Sequence, residues 1–261
     1  MRSFRQGCID GTGMIGSFAS IPHPAAVEVS AQAGFDFLCI DWEHSQIARD
    51  ALENLVRAAD VHSVPAMVRL PGHGPEAIAA ALDSGARGVL VPRIATAEQA
   101  RNAVKATRYP PVGERGVGPG RAAGYGYRIP DYLAVANAEI VLAVQVETAE
   151  GLANSDAIAA VDGIDVVFVG PGDLSVSLGA MGPAGADRLG KAIETILAAA
   201  RKRKKVAGIF CARPDDVGRW AARGASFFIL ASDAMFLGAG AREAATDARA
   251  LLAPKPGRKR R

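Results

Sequence analysis

Residues 32–41 read QAGFDFLCID and residues 161–171 read VDGIDVVFVGP. Each sets a glycine, Gly34 or Gly163, two residues ahead of an unbroken apolar run. The scheme returns in DSGARGVLVPR at 83–93, around Gly85, and in ARGASFFILAS at 222–232, around Gly224. A glycine suits the left-handed residue that closes a helix. An apolar run without alternation suits a parallel strand buried on both faces. A repeated unit of helix, glycine and strand predicts an α/β architecture.

Four more apolar runs fit as strands: GMIGSFA at 13–19, VPAMVRL at 64–70, IVLAVQVE at 140–147 and VAGIFC at 206–211. Helical patterns separate the runs, from PAAVEVSAQA at 24–33 to AREAATDARALLA at 241–253. Several open on Thr, Asp or Pro, which helix N-termini favour. Eight strands alternating with helices in 261 residues predict a single-domain (β/α)8 TIM barrel over residues 1–254, followed by a basic tail at 255–261. The longest stretch read as irregular is 108–130, RYPPVGERGVGPGRAAGYGYRIP. The segment GTGMIG at 11–16 matches G-x-G-x-x-G, but SFASIPHP follows it, and Pro22 and Pro24 forbid the immediate helix that a dinucleotide site requires.

Composition narrows the partners. The formal net charge is +3 and charged residues make up 22%. The excess is local, in RKRKK at 201–205 and KPGRKRR at 255–261, which read as a solvated helix end and a tail. No nucleic-acid partner is expected. Cys8, Cys39 and Cys211 are odd in number and widely spaced, without disulfide or zinc spacing. With no signal segment and no run of membrane-spanning length, the expectation is a cytoplasmic protein with no membrane partner.

In a barrel, chemistry collects where the strands end. The second strand ends in Asp41, Glu43 and His44, the third in Arg69, the fifth in Gln145 and Glu147, and the sixth in VGPGD, reaching Asp173. Singly, each has a plain structural reading, as a helix cap, an ion pair or a surface charge. Together they place carboxylates, an arginine and a histidine on one rim. Glu147 and Asp173 are hard oxygen donors suited to Mg2+ or Mn2+ with waters and a chelating substrate. The GPGD turn lets backbone N–H groups approach a carboxylate, Arg69 offers planar donors to an oxyanion, and His44 moves protons near neutral pH. The sum is metal-stabilised enolate chemistry on a small oxo-acid. No lysine ends a strand, which disfavours an imine mechanism.

The motifs GFDFLCIDWEHSQ, LDSGARGVLVPR, RYPPVGERGVGPGRAAGYG, VQVETAEGLANSDAI and VFVGPGDLSVSLG resemble, in order, those of the HpcH/HpaI aldolases, metal-dependent class II pyruvate aldolases typified by 4-hydroxy-2-oxoheptanedioate aldolase. The resemblance implies reversible cleavage of a 4-hydroxy-2-oxo acid to pyruvate and an aldehyde. It makes His44 the base, Arg69 the transition-state stabiliser, Glu147 and Asp173 the metal ligands, and Gln145 a substrate contact. Gly172 and Asp173 form the turn that binds the pyruvate carboxylate, with Gly172 standing where alanine is common. Asp83 matches an acid that raises the basicity of the histidine, whereas spacing alone points to Asp41, three residues from His44. Glu43 receives no role. The resemblance further implies a divalent ion (Mg2+, Mn2+ or Co2+) and a homohexamer with an exchanged C-terminal helix. The loop bearing Arg115, Arg121 and Tyr125 is expected to be a lid or an interface. Two alternatives remain at this stage: a lyase acting on CoA esters, as in citrate-lyase β-chain relatives, and a non-catalytic oxo-acid-binding barrel.

Overall fold

A computed structural model describes residues 3–252; the basic tail predicted at 255–261 lies outside the described residues. Eight parallel strands close into one barrel in sequence order. They are β1 (Met14–Ala19), β2 (Phe37–Asp41), β3 (Ala66–Arg69), β4 (Gly88–Val91), β5 (Val141–Val146), β6 (Val166–Val169), β7 (Val206–Cys211) and β8 (Phe227–Ser232). Each falls on one of the eight apolar runs. Gly34, Gly85, Gly163 and Gly224 all have positive φ, between 86° and 98°, so each turns the chain from a helix into the next strand, as the spacing predicts.

Side chains alternate across each strand, and this sorts the apolar residues into two cores. Leu38, Ile40, Val68, Val89, Leu142 and Val167 pack outward against the helices. Phe37, Cys39, Met67, Leu90, Ala143, Phe168 and Phe227 fill the interior. The interior is crowded by three phenylalanines: Phe37 stacks on Phe227 at 4.5 Å between centroids, and Phe168 meets Phe227 edge-on at 6.3 Å. Gly16 makes room for them, since a Cβ there would fall 2.5 Å from the Phe37 ring. The glycines of GTGMIG thus lead into a barrel strand, and no helix follows until Pro24–Ala31.

The helical patterns also form, with one broken into two short pieces, Ala149–Ala153 and Ser155–Ala159. Three helices go beyond the sequence reading: Phe4–Ile9, Ile129–Glu139 and Pro171–Ser177. The first caps the N-terminal mouth of the barrel, with Cys8 buried and Phe4 packed on Phe37. Ile129–Glu139 takes over the end of the stretch read as irregular, opening on Pro130 in its first turn. Below the barrel, Asp165 accepts from Arg5 Nε at 2.9 Å, Arg108 Nη2 at 3.1 Å and the Leu142 N–H at 2.9 Å. Arg108 is only 2% exposed. Removing the carboxylate leaves a buried guanidinium without its counter-charge, so Asp165→Ala should cost about 3 kcal/mol in urea unfolding.

The C-terminal helix Asp233–Leu252 joins this packing at its first turn, where Phe236 stacks on Phe35 with 6.0 Å between ring centroids. Asp233 is its one buried residue, held by the N–H groups of Ser20 and Ile21 at 2.9 and 3.0 Å. Beyond it, Phe236, Leu237, Leu251 and Leu252 are exposed. No helix of the described residues is long and apolar enough to cross a membrane.

Candidate active site

The inward parity that fills the barrel with Phe37 and Cys39 brings Asp41 inward at the end of β2. The same parity on β3 runs from Met67 to Arg69. In the parallel register Asp41 and Arg69 are direct partners, and their side chains join in a two-pronged pair: Nε to Oδ1 at 2.9 Å and Nη2 to Oδ2 at 2.6 Å. Both residues are buried. The guanidinium lies over the Phe18 ring, 4.2 Å from its centroid. A fork–fork pair with a ring beneath fixes the arginine plane and leaves its remaining donors toward the cavity.

Asp41 does not support His44 in the way the three-residue spacing suggested. Its Oδ1 accepts the backbone N–H groups of Glu43 and His44, at 3.2 and 3.1 Å. The carboxylate therefore shapes the bend that carries the histidine, and its charge belongs to Arg69. The His44 ring is open to solvent, with Nε2 3.7 Å from Glu43 Oε2.

Across the barrel, β5 ends at Val146 and hands on to Glu147, which is 1% exposed. Its Oε1 accepts the Arg93 N–H at 2.8 Å, and its Oε2 accepts from the Gln145 amide. Arg93 has a left-handed backbone, φ 53°, a strained conformation for a residue with a side chain that turns its N–H onto the carboxylate. Burial pushes the Glu147 carboxyl up to about 7; the Gln145 and Arg93 hydrogen bonds oppose this, while Asp173 and Glu43 add to it. Asp173 sits in the first turn of Pro171–Ser177 and is exposed.

Gly170 separates the segments that carry Glu147 and Asp173. A Cβ there would run into Glu147 Oε2 and stand 2.7 Å from Gln145 Nε2. A Cβ at Gly172 would meet nothing within 4 Å. Gly170→Ala should therefore weaken Mn2+ binding by roughly tenfold, while Gly172→Ala should leave it unchanged; calorimetric titration of both variants checks this.

His44, Arg69, Asp41, Gln145, Gly172 and Asp173 line one cavity of about 310 Å3 at the C-terminal rim, floored by Phe18, Phe168 and Phe210. Asp83 is elsewhere. It ends the helix Pro75–Asp83 that precedes β4, which places it at the N-terminal end of the barrel. There its Oδ1 accepts from Arg115 Nη2 at 2.7 Å. Within one chain it does not meet His44. The long loop also turns away from the rim: Arg115 is buried against Tyr109 and Tyr132, and Arg121 pairs with Asp60 at 2.7 Å. It is no lid over the cavity of its own barrel.

The donor set fits a hard divalent ion. Among the described residues, no three His, Cys, Asp or Glu side chains gather into a complete cage. Glu147 and Asp173 offer only oxygen, the pattern by which Mg2+ or Mn2+ is held by two carboxylates and completed by water and substrate. Two buried oxygens beside them, Gln145 Oε1 and Glu43 Oε2, lack any hydrogen-bond donor.

A parallel barrel that presents such oxygens opposite a clamped arginine suits lyase chemistry on a small oxo-acid. The family model for HpcH/HpaI aldolase/citrate lyase matches residues 14–238, and the chain belongs to that family. It is 40% identical to a hydroxypyruvate/pyruvate aldolase of Roseovarius nubinhibens, over 92% of this chain and 94% of the relative. It is 41% identical to a 2-keto-3-deoxy-L-rhamnonate aldolase of Klebsiella pneumoniae, over 89% and 87%. The crystal structure of a HpcH/HpaI aldolase/citrate lyase family protein from Burkholderia cenocepacia superposes with a TM-score of 0.90 at 35% identity, covering 95% of this chain and all of that one. The chain is a carbon–carbon lyase of the aldolase type.

Proposed function

We propose that the protein reversibly cleaves a 4-hydroxy-2-oxo acid into pyruvate and an aldehyde, using Mg2+ or Mn2+, as a cytoplasmic homohexamer. The observation that carries the reading is Glu147: a carboxylate 1% exposed, given two neutral donors and, among the described residues, no side-chain cation, set behind the Gln145 and Gly170 wall of a cavity that Arg69, fixed by Asp41, also lines. The pocket is built to receive a cation and an oxyanion together. The relatives named above share a 2-oxo acid as their common chemistry, which supports pyruvate as the conserved half.

Glu147 and Asp173 hold the ion, which when bound polarises the 2-oxo group and lowers the energy of the enolate. Arg69 orients the substrate and holds the oxyanion with donors that need no reorganisation. The N–H groups of the Gly172–Asp173 turn take the carboxylate, and Gln145 supplies a neutral polar contact. His44 takes the proton of the C4 hydroxyl during cleavage and returns one in the reverse direction. The interior phenylalanines keep water from beneath the reacting carbons.

The hexamer rests on the C-terminal helix, whose apolar residues Phe236 and Leu237 are exposed on a lone chain and would be covered by exchange with a neighbour. Asp83, at the opposite end of its own barrel, reaches a histidine only when another chain presents one. Three free, buried cysteines suit a reducing compartment.

Deuterium exchange at C3 of pyruvate, followed by NMR in D2O, tests the central step without a choice of aldehyde. Exchange that appears with Mn2+ or Mg2+ and disappears with EDTA is the expected result. A folded protein that exchanges nothing under either metal would refute the reading.

A further inference from the structure

Glu43 is the rim carboxylate that this scheme leaves without a task. Its side chain is 11% exposed, and its Oε2 atom is buried with no donor in reach. Two nitrogens approach it, Arg69 Nε at 3.6 Å and His44 Nε2 at 3.7 Å. Both are beyond hydrogen-bonding distance, and Arg69 Nε is already committed to Asp41. A buried acceptor left in this condition is normally completed by a water or an ion held at the site. Gln145 Oε1, 2% exposed at the residue level and lining the rim cavity together with Arg69 and His44, is a second such acceptor.

The position of Glu43 says which water. The two nitrogens nearest its Oε2 belong to Arg69 and His44, and both residues line the cavity with Gln145 and Asp173. Glu43 therefore stands beside the cavity that Asp173 lines and that Glu147 backs through Gln145, the two carboxylates read above as ligands. Yet it does not join them in a three-residue cage. An ion held by two carboxylates keeps several waters, and each water brings hydrogens that need an acceptor.

We propose that Glu43 holds the divalent cation at one remove, its Oε2 accepting a hydrogen bond from a water on the ion. The proposal rests on Glu147 and Asp173 being the ligands. It makes Glu43 a positioning residue: the water it holds lies toward both His44 and Arg69, so the ion's hydration shell has a fixed orientation before substrate arrives.

The test is Mn2+ binding to the metal-free full chain, read by the free-ion electron paramagnetic resonance signal and by water-proton relaxation of the bound ion. Glu43→Gln should weaken Mn2+ roughly tenfold or more and change the relaxation enhancement. Glu43→Asp keeps the charge but shortens the reach, and should weaken binding several-fold as well. Glu150→Gln removes an exposed carboxylate from the neighbouring rim helix Ala149–Ala153 and should change affinity less than about twofold. Wild-type affinity in both Glu43 variants would overturn the proposal, and so would a loss in Glu150→Gln as large as in Glu43→Gln. Wild-type protein that binds no Mn2+, or Glu147→Gln that binds it as wild type does, would instead show that the ligand assignment beneath the proposal is wrong. Thermal melting of each variant confirms that a folded chain is being measured.

Discussion

Glu147→Gln should lower metal-dependent deuterium incorporation into pyruvate by about 10³-fold, since in the proposed function the ion that stabilises the enolate has Glu147 as one of its two protein anchors. The substitution keeps an oxygen for the Arg93 N–H and fills the same space, so the fold should survive it. Its effect on stability runs opposite to its effect on rate. The Glu147 carboxyl is held up at about 7 by burial, from an ordinary value of 4.5. Between those values the folded, metal-free chain holds a proton that the unfolded chain has released. Metal-free stability must therefore fall as pH rises from about 4.5 to about 7 and level off above it. A shift of that size corresponds to roughly 3 kcal/mol. Glu147→Gln removes this slope, so above pH 7 the metal-free variant should melt higher than the metal-free wild type. Added Mn2+ should reverse the order by stabilising only the wild type. Metal affinity should weaken as pH falls below about 7, because the ion must displace the proton. Melting curves at pH 5 to 8, with and without Mn2+, check all of this. A variant that keeps exchange, or a wild type whose melting ignores Mn2+, would contradict it.

Four strands were legible because two signals agree, a glycine that must turn left-handed and an apolar run that must be buried on both faces; the other four were legible from the apolar run alone. The helices that were missed carry neither a long period nor a separate start signal. Phe4–Ile9 is too short to show a period. Pro171–Ser177 begins inside GPGD, which reads equally well as a turn. Ile129–Glu139 carries its start signal, Pro130, at the end of a stretch so rich in glycine and proline that a helix there was hidden. The rim was legible as a collection of residues but not as a set of pairs. Asp41 lies three residues from His44 in sequence, yet its partner is Arg69, and that follows only from register. Glu43 sits in a bend with no periodicity, so nothing in the sequence marks its oxygen as buried. Asp83 shows the same limit from the other side: its motif is clear, but its place at the end of the helix before β4 sets it at the far end of the barrel.

The Asp41–Arg69 pair carries the second large effect. Asp41→Ala leaves a guanidinium 10% exposed without its counter-charge and removes the acceptor for the Glu43 and His44 N–H groups. Loss of a buried partner of this kind costs about 3 kcal/mol. Pyruvate exchange should fall about 10²-fold, because Arg69 can no longer present its donors in one plane. Glu43, 3.6 Å from Nε, is the nearest alternative partner, and capture by it would swing the guanidinium away from the cavity. Asp41→Asn keeps an oxygen for the bend and for Nε, so it should cost less on both counts. Arg69→Lys replaces the fork by a point charge and should lose exchange nearly as completely as Arg69→Ala. If Asp41 acts through Arg69, then once Arg69 is alanine the further change Asp41→Ala should lower exchange no more, and the double-mutant cycle should show strong coupling. Additive losses would mean that Asp41 serves the reaction through His44 after all. In that case the sequence spacing, rather than the β2–β3 register, would describe its part in the chemistry.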